Sequence, residues 1–174
     1  MTRSELAAAI VRISELRGAF KLRSGATADR YFDKYRFEAN PNLLREIAQA
    51  LVPLVPPGTE LFAGLELGGV PIATMLGQET GLPVRFVRKK AKEYGTALLA
   101  EGGPIDGARL CIVEDVVTSG GQILLSTADL RGLGAKVETA LCVIDRQSGG
   151  AEALAADGIE LRALFSASDL DAAS

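Results

Sequence analysis

The chain has 174 residues, 48% of them hydrophobic and 24% charged, with a formal net charge of -3. That size and balance describe one globular domain, 1–174, with room for a substantial core, and the slight acidity argues against nonspecific nucleic-acid binding, which needs a basic surface. The complete lack of histidine excludes a His-based triad and the usual zinc sites, leaving acid–base work to carboxylates, lysines, tyrosines or the substrate.

At the N-terminus, Glu5 and Arg12 interrupt the apolar stretch, so it lacks a signal-peptide core, and no later apolar run reaches membrane-spanning length. A cytoplasmic protein with no membrane partner is expected. Ser4 is predicted to cap an amphipathic helix running to about Arg17, with Leu6, Ile10, Ile13 and Leu16 on one face and Gly18 at its end. Phe20 and Leu22 precede Ser24-Gly25, and Tyr31, Phe32, Tyr35 and Phe37 follow it. This pattern predicts a small hairpin or hood element over about 18–38. Asn40-Pro41 opens the next helix, with Leu43, Leu44, Ile47 and Leu51 on its apolar face and Pro53, Pro56 and Pro57 after it.

From Glu60 onward, short apolar runs alternate with helical patterns: 61–65, 70–78, 84–87, 110–113, 122–133 and 137–144. A helix over 150–156 and a strand around 159–164 complete the chain. The alternation predicts an α/β fold, a central parallel sheet flanked by helices. Cys111 and Cys142 fall inside apolar runs and read as small buried hydrophobes.

Residues 110–122, Leu-Cys-Ile-Val-Glu-Asp-Val-Val-Thr-Ser-Gly-Gly-Gln, join a buried strand to a helix through two carboxylates and a small-residue turn. In an open parallel sheet, ligands bind beyond the carboxyl ends of the strands. Thr118, Ser119, Gly120 and Gly121 offer unhindered N–H groups, two hydroxyls and the positive end of a helix, which suit a phosphate monoester. Glu114 and Asp115 are acceptors when ionised, fit for ribose hydroxyls or a hydrated divalent cation. A bland surface turn, with Asp115 as a helix cap, competes with this reading on composition alone.

The full order of residues resembles the phosphoribosyltransferase signature, in which a strand, Glu-Asp, two residues and Thr/Ser-Gly-Gly hold the 5-phosphate end of phosphoribosyl pyrophosphate (PRPP). The basic run Arg88-Lys89-Lys90-Ala91-Lys92-Glu93-Tyr94-Gly95-Thr96, followed by Glu101-Gly102, would by itself be a solvated face. It is similar to the catalytic loop of the orotate phosphoribosyltransferase family, Arg-Lys-x-x-Lys-x-His/Tyr-Gly and then Glu-Gly. Matched positions are Arg88, Lys89, Lys92 and Tyr94, the last standing where many members carry histidine.

Three further segments resemble the same family. Phe20-Lys21-Leu22-Arg23-Ser24-Gly25 with Tyr31-Phe32-Asp33 matches its N-terminal elements, in which the aromatics lie beside the pyrimidine; Arg23 stands where lysine is usual. Asp145-Arg146-Gln147-Ser148-Gly149-Gly150 matches its Asp-Arg-x-x-Gly-Gly element, and Arg146 has the fork geometry that a planar carboxylate needs. Gly64-Leu65-Glu66-Leu67-Gly68-Gly69-Val70-Pro71 corresponds to its pyrophosphate loop, with Glu66 an acidic departure.

The resemblance implies a type I phosphoribosyltransferase-like fold that transfers phosphoribose from PRPP to orotate. Implied PRPP contacts are Glu114, Asp115, Val116, Val117, Thr118, Ser119, Gly120, Gly121, Gln122, Arg88, Lys89, Lys92, Tyr94, Leu67, Gly68 and Gly69. Orotate would meet Arg146, Thr118, Tyr31, Phe32 and Arg23. Asp115, Lys92, Lys89 and Arg88 are the implied catalytic residues, with Mg2+ near Glu114 and Asp115 through water or substrate. A mobile loop over about 88–103 reaching the neighbouring subunit of a homodimer is also implied. The competing readings are transfer to another base and a non-catalytic regulator with this fold.

Overall fold

A computed structural model describes residues 1–21, 25–91 and 98–173. The first helix, α1 (Arg3–Ser14), is capped by Thr2 and not by the predicted Ser4. The cause is a reciprocal pair of bonds: Glu5 N donates to Thr2 Oγ1 and Thr2 N donates to Glu5 Oε2, a capping box that requires an acidic residue three positions after the cap. The helix also stops short of Arg17. Glu15 is extended, and Leu16, Arg17 and Gly18 belong to β1 (Glu15–Lys21), which pairs antiparallel with β2 (Thr27–Phe32). The register shifts between Arg17 and Phe20, so Gly18 sits in a bulge of the hairpin rather than at a helix end.

A short helix, α2 (Tyr35–Glu38), leads to α3 (Pro41–Leu51), where Asn40 Oδ1 accepts from Leu43 N at 3.0 Å and Pro41 occupies the first turn. Val52–Leu54 forms a single 3-10 turn around Pro53. There follow β3 (Leu61–Leu65), α4 (Gly69–Thr80), β4 (Val84–Val87), β5 (Ala100–Glu101), β6 (Arg109–Val117), α5 (Gly121–Gly132), β7 (Lys136–Asp145), α6 (Gly150–Ala156), β8 (Glu160–Ser166) and α7 (Ala167–Asp171). The order across the main sheet is β5-β4-β3-β6-β7-β8, parallel except for β5, which runs antiparallel to β4.

The expected α/β architecture holds, with three local differences. β6 continues through Glu114 and Asp115 to Val117 instead of ending at Val113, because β7 pairs with it along that whole length. β5 is too short to leave a periodic signal. The chain does not finish with β8, since Ser166 caps α7 through a second capping box with Asp169.

Both faces of the sheet are covered, which explains why the central strands read as continuous apolar runs rather than alternating ones. On one face Phe62, Cys111, Val113 and Leu141 pack with Leu6, Ile10, Phe37, Ile47, Ile72 and Leu76 from the helices. On the other, Ala63, Ile112, Ala140 and Cys142 pack with Ile123, Leu130 and Leu154. Both cysteines are free and buried, and burial raises both thiol pKa values. The chain leaves β3 toward β4 on one side, and from β6 toward β7 and β8 on the other. The switch point therefore lies between the carboxyl ends of β3 and β6, where an open α/β sheet forms its crevice. Among the described residues no helix is long and apolar enough to cross a membrane.

Candidate active site

Two helix N-termini face this crevice. After β3, Glu66 and Leu67 are joined by a cis peptide, and α4 begins at Gly69. Glycine at this turn is a steric requirement: a Cβ on Gly68 would overlap the Asp115 carboxylate, and one on Gly69 would overlap the carbonyl oxygen of Val113. The loop thereby lies directly on the end of β6. Among the described residues nothing accepts from the N–H groups of Leu67, Gly68 or Gly69, which stay available to an anion at the positive helix end.

Beyond β6, residues 118–120 lead into α5. Gly120 has φ 76, left-handed backbone that favours glycine. A Cβ there would stand 3.2 Å from Gly150 O, and a Cβ on Gly150 would stand 2.5 Å from Thr118 O. The turn before α5 and the turn before α6 therefore interlock backbone to backbone. Thr118 and Ser119 are exposed, and no described group accepts from the N–H groups of residues 118–121. A small pocket is lined by Glu114, Val116, Val117, Thr118, Ser119, Gly120, Gly121 and Gln122.

The two adjacent carboxylates leave opposite faces of the strand, with Asp115 N donating to Glu114 Oε1 at 3.0 Å. Successive strand residues point to opposite faces, so Glu114 lines the pocket of residues 116–122 while Asp115 meets Gly68 on the other side. Asp115 is fully buried and forms an ion pair with Lys34 Nζ. Its Oδ1 accepts from Val116 N at 2.5 Å. Buried Glu38 closes the group from α2, its carboxyl beside that of Asp115.

Burial, then the hydrogen bond and charge of Asp115, pushes the Glu38 pKa up to about 9. Burial followed by the charge of Asp115 raises Glu114 to about 8. For Lys34, burial would lower the pKa, but the hydrogen bond and charge of Asp115 prevail and hold it above its ordinary value. A neutral Glu38 can act as a donor toward Asp115, which gives its own carboxyl, buried without a hydrogen-bond partner among the described residues, a use.

The basic segment starts from a fixed base. Glu66 Oε1 accepts from Lys89 N at 2.5 Å, and Arg88 N donates to Leu99 O at 2.9 Å. Arg88 Nε lies 3.5 Å from Glu101 Oε1. Buried Arg85 donates to Pro104 O through Nε at 3.2 Å and Nη2 at 3.1 Å. Lys92, Tyr94 and Arg23 lie outside the described residues.

Arg146 lies at the same end of the main sheet, whereas Tyr31 and Phe32 lie on the separate two-stranded hairpin. Arg146 N donates to Val117 O at 2.9 Å, which places the arginine's backbone beside the turn before α5. Tyr31 is 46% exposed and stacks on Phe20 with ring centroids 5.6 Å apart. Phe32 instead packs against the apolar core, as alternation along β2 requires. Leu67 is 63% exposed at the tip of its loop.

Sequence reasoning missed Lys34 and Glu38. Their spacing was a usable signal, since a cation and a carboxyl four positions apart share one helix face immediately after the Tyr31-Phe32-Asp33 segment. The side-chain contact of Glu66 with the backbone of Lys89 carried no such signal, because it joins two loops distant in sequence.

No family model matches the chain. It is 52% identical over 168 residues to an orotate phosphoribosyltransferase of Nocardioides sp., covering 97% of this chain and 94% of that protein. The crystal structure of Mycobacterium tuberculosis orotate phosphoribosyltransferase in complex with Fe(III) dicitrate superposes with a TM-score of 0.88 at 33% identity, covering 97% of this chain and 98% of the other. The same enzyme in complex with PRPP gives a TM-score of 0.84 at 30% identity, with the same coverage. With two glycine-lined helix N-termini meeting at a buried Glu-Asp pair, and with likeness at this level over nearly its whole length, the chain belongs to the orotate phosphoribosyltransferase family of type I phosphoribosyltransferases.

Proposed function

We propose that this chain transfers the phosphoribosyl group of PRPP to orotate, giving orotidine 5'-monophosphate and pyrophosphate in pyrimidine nucleotide synthesis in the cytoplasm. The observation that carries this reading is the meeting of two helix N-termini, those of α4 and α5, at the Glu114-Asp115 end of β6. One suits the pyrophosphate and the other the 5-phosphate of a single donor molecule. The relative solved with PRPP has the same fold and spans the same length.

In this reading the 5-phosphate lies in residues 118–121, flanked by Val116, Val117 and Gln122, and pyrophosphate lies against the N–H groups of Leu67, Gly68 and Gly69. Glu114 and Asp115 accept from the ribose hydroxyls. As the bond from the anomeric carbon to pyrophosphate breaks, positive charge grows on the sugar, and the fixed negative charge of Asp115 stabilises it. Arg88, Lys89 and Lys92 draw the departing anion, with Tyr94 beside them. The orotate ring nitrogen then forms its bond on the opposite face and gives up its proton. Arg146 grips the orotate carboxylate, while Thr118, Tyr31 and Arg23 border the ring. Closure of the basic loop keeps water from the activated sugar.

Mg2+ fits the residues present. No group of three His, Cys, Asp or Glu side chains gathers to hold a metal among the described residues, so the ion would be held through substrate oxygens and water, with Glu114 and Asp115 as outer partners, as Mg2+ on a phosphorylated substrate usually is. When bound it supplies charge neutralisation for the leaving group. We also propose a homodimer in which the basic loop serves the neighbouring subunit's site.

The test is loss of orotate absorbance on mixing purified protein, PRPP and Mg2+, with adenine, hypoxanthine and uracil in parallel. Consumption of orotate alone is the expected result. Turnover of a purine base would reassign the specificity, and PRPP binding without turnover of any base would point to a regulator.

A further inference from the structure

The base-recognition turn contains a backbone anomaly that the reaction does not use. Gln147, directly after Arg146, has φ 54 and is the one non-glycine residue in the left-handed region among those described. That conformation is uncommon for a residue with a Cβ and persists when its surroundings hold it. Here they do: Gln147 N donates to Asp145 Oδ1 at 2.9 Å, and Gln147 Oε1 accepts from both Ser168 N at 3.1 Å and Ser168 Oγ at 2.5 Å. Arg146 itself makes no ion pair among the described residues and is exposed. Its placement therefore rests on its backbone, pinned to Val117 O on one side and followed by Gln147 on the other.

Ser168 is a firm anchor. It lies in α7, whose capping box joins Ser166 and Asp169. Asp169 also pairs with Arg3 of α1 at 3.2 Å, and the Arg3 guanidinium stands 4.6 Å from the centre of the Phe165 ring. A glycine at 147 would adopt the same φ without strain; the glutamine adds a bond to this braced C-terminal element.

We propose that Gln147 is a positioning residue for orotate recognition, its clasp on Ser168 holding the left-handed turn that presents Arg146 beside the turn before α5. This rests on the assignment of Arg146 to the orotate carboxylate. The C-terminal helix α7 thereby braces the base-binding turn from outside, as the Gly120–Gly150 contact braces it from inside.

Steady-state kinetics on the full chain, with orotate and PRPP varied separately, test the clasp in Gln147→Gly, Ser168→Ala, the double variant and Arg146→Ala. Gln147→Gly relieves the left-handed residue and should keep the melting temperature, yet raise KM for orotate roughly three- to tenfold, the worth of about one neutral hydrogen bond, with KM for PRPP unchanged. Ser168→Ala should move the orotate KM in the same direction, and the double variant should be no worse than Gln147→Gly, because both remove one contact. An unchanged orotate KM in Gln147→Gly, with Arg146→Ala raising it, would overturn the clasp alone. Equal rises in both KM values with a lower melting temperature would mark Gln147 as a general structural residue and also overturn it. No effect of Arg146→Ala on orotate would remove the underlying assignment and the clasp with it.

Discussion

Lys34 Nζ closes an ion pair on Asp115, joining the end of the N-terminal hairpin to the carboxylate at the switch point of the sheet. The carboxyl groups of Glu38 and Asp115 are buried beside this one ammonium, and that of Glu114 is buried on the opposite face of the strand. Protons and the lysine together make the group tolerable at neutral pH, since unpaired buried charge is costly. The end of the hairpin is thus tied to the carboxyl end of β6.

Replacing Lys34 by methionine keeps the aliphatic stem and removes the charge. The lysine side chain is 35% exposed, which discounts the loss below that of a fully buried pair. We expect a cost of about 1–3 kcal/mol, read as a lower melting temperature, with a larger loss of kcat than of PRPP affinity because Asp115 loses its fixed orientation. A variant with wild-type stability and kinetics would show that the ion pair is incidental.

The raised carboxyl pKa values make stability depend on pH with a definite sign. The folded state holds protons on Glu38 up to about pH 9 and on Glu114 up to about pH 8, whereas the unfolded chain releases both near the ordinary glutamate value of 4.5. Between those limits the folded state binds more protons, so stability falls as pH rises. The contribution is full below the unfolded pKa and is lost as pH climbs through the folded values. Thermal melts should therefore show declining stability toward pH 9, and Glu38→Gln, which keeps a donor for Asp115 but has no proton to lose, should flatten that decline. An equally steep decline in Glu38→Gln would place the proton elsewhere.

Gly68 tests the packing of the two loops. An added Cβ would overlap the Asp115 carboxylate, and the buried ion pair of that carboxylate with Lys34 leaves it little room to yield. Gly68→Ala should fold but displace Asp115 and the free N–H groups of the turn, lowering kcat/KM by about a hundredfold, the scale for a misplacement of about 1 Å. Isothermal titration with PRPP should show weakened binding in the same variant. Retained affinity and turnover would mean that the turn before α4 accommodates the methyl group without moving Asp115.

How far the sequence alone reached follows from the range of each interaction. β3, β4 and the apolar parts of β6 and β7 were legible because burial on both faces writes itself as short apolar runs, and α3 was legible from Asn40-Pro41 and its apolar stripe. The phosphate-type turn could be read because its glycines and hydroxyls are consecutive. The meeting of Lys34 and Glu38 with Asp115 and the clasp of Gln147 on Ser168 are side-chain contacts between separate elements; the spacing of Lys34 and Glu38 marks a shared face but not the partner it meets. The start of α1 failed for a nearer reason: Thr2 outcompetes Ser4 because only Thr2 has Glu5 at the right spacing to complete the box. The reach of β6 beyond Val113 was hidden because its polar residues are held there by pairing with β7, which outweighs their weak strand preference.

Glu66, the acidic departure in the turn before α4, turns toward the start of the basic segment and accepts from Lys89 N at 2.5 Å. Its charge is thereby engaged at the segment's root instead of lying against pyrophosphate. Glu66→Ala removes that anchor, a charge-assisted hydrogen bond, while leaving the N–H groups of Leu67, Gly68 and Gly69 in place. If the segment acts on the departing pyrophosphate, the variant should bind PRPP normally and lose roughly tenfold in kcat, in line with about 1.5 kcal/mol for a hydrogen bond to a charged group. Glu66→Gln, which retains an acceptor oxygen, should recover most of that loss. A fall in PRPP affinity with kcat preserved would assign Glu66 to the pyrophosphate site itself, through the shape of its own turn rather than through Lys89.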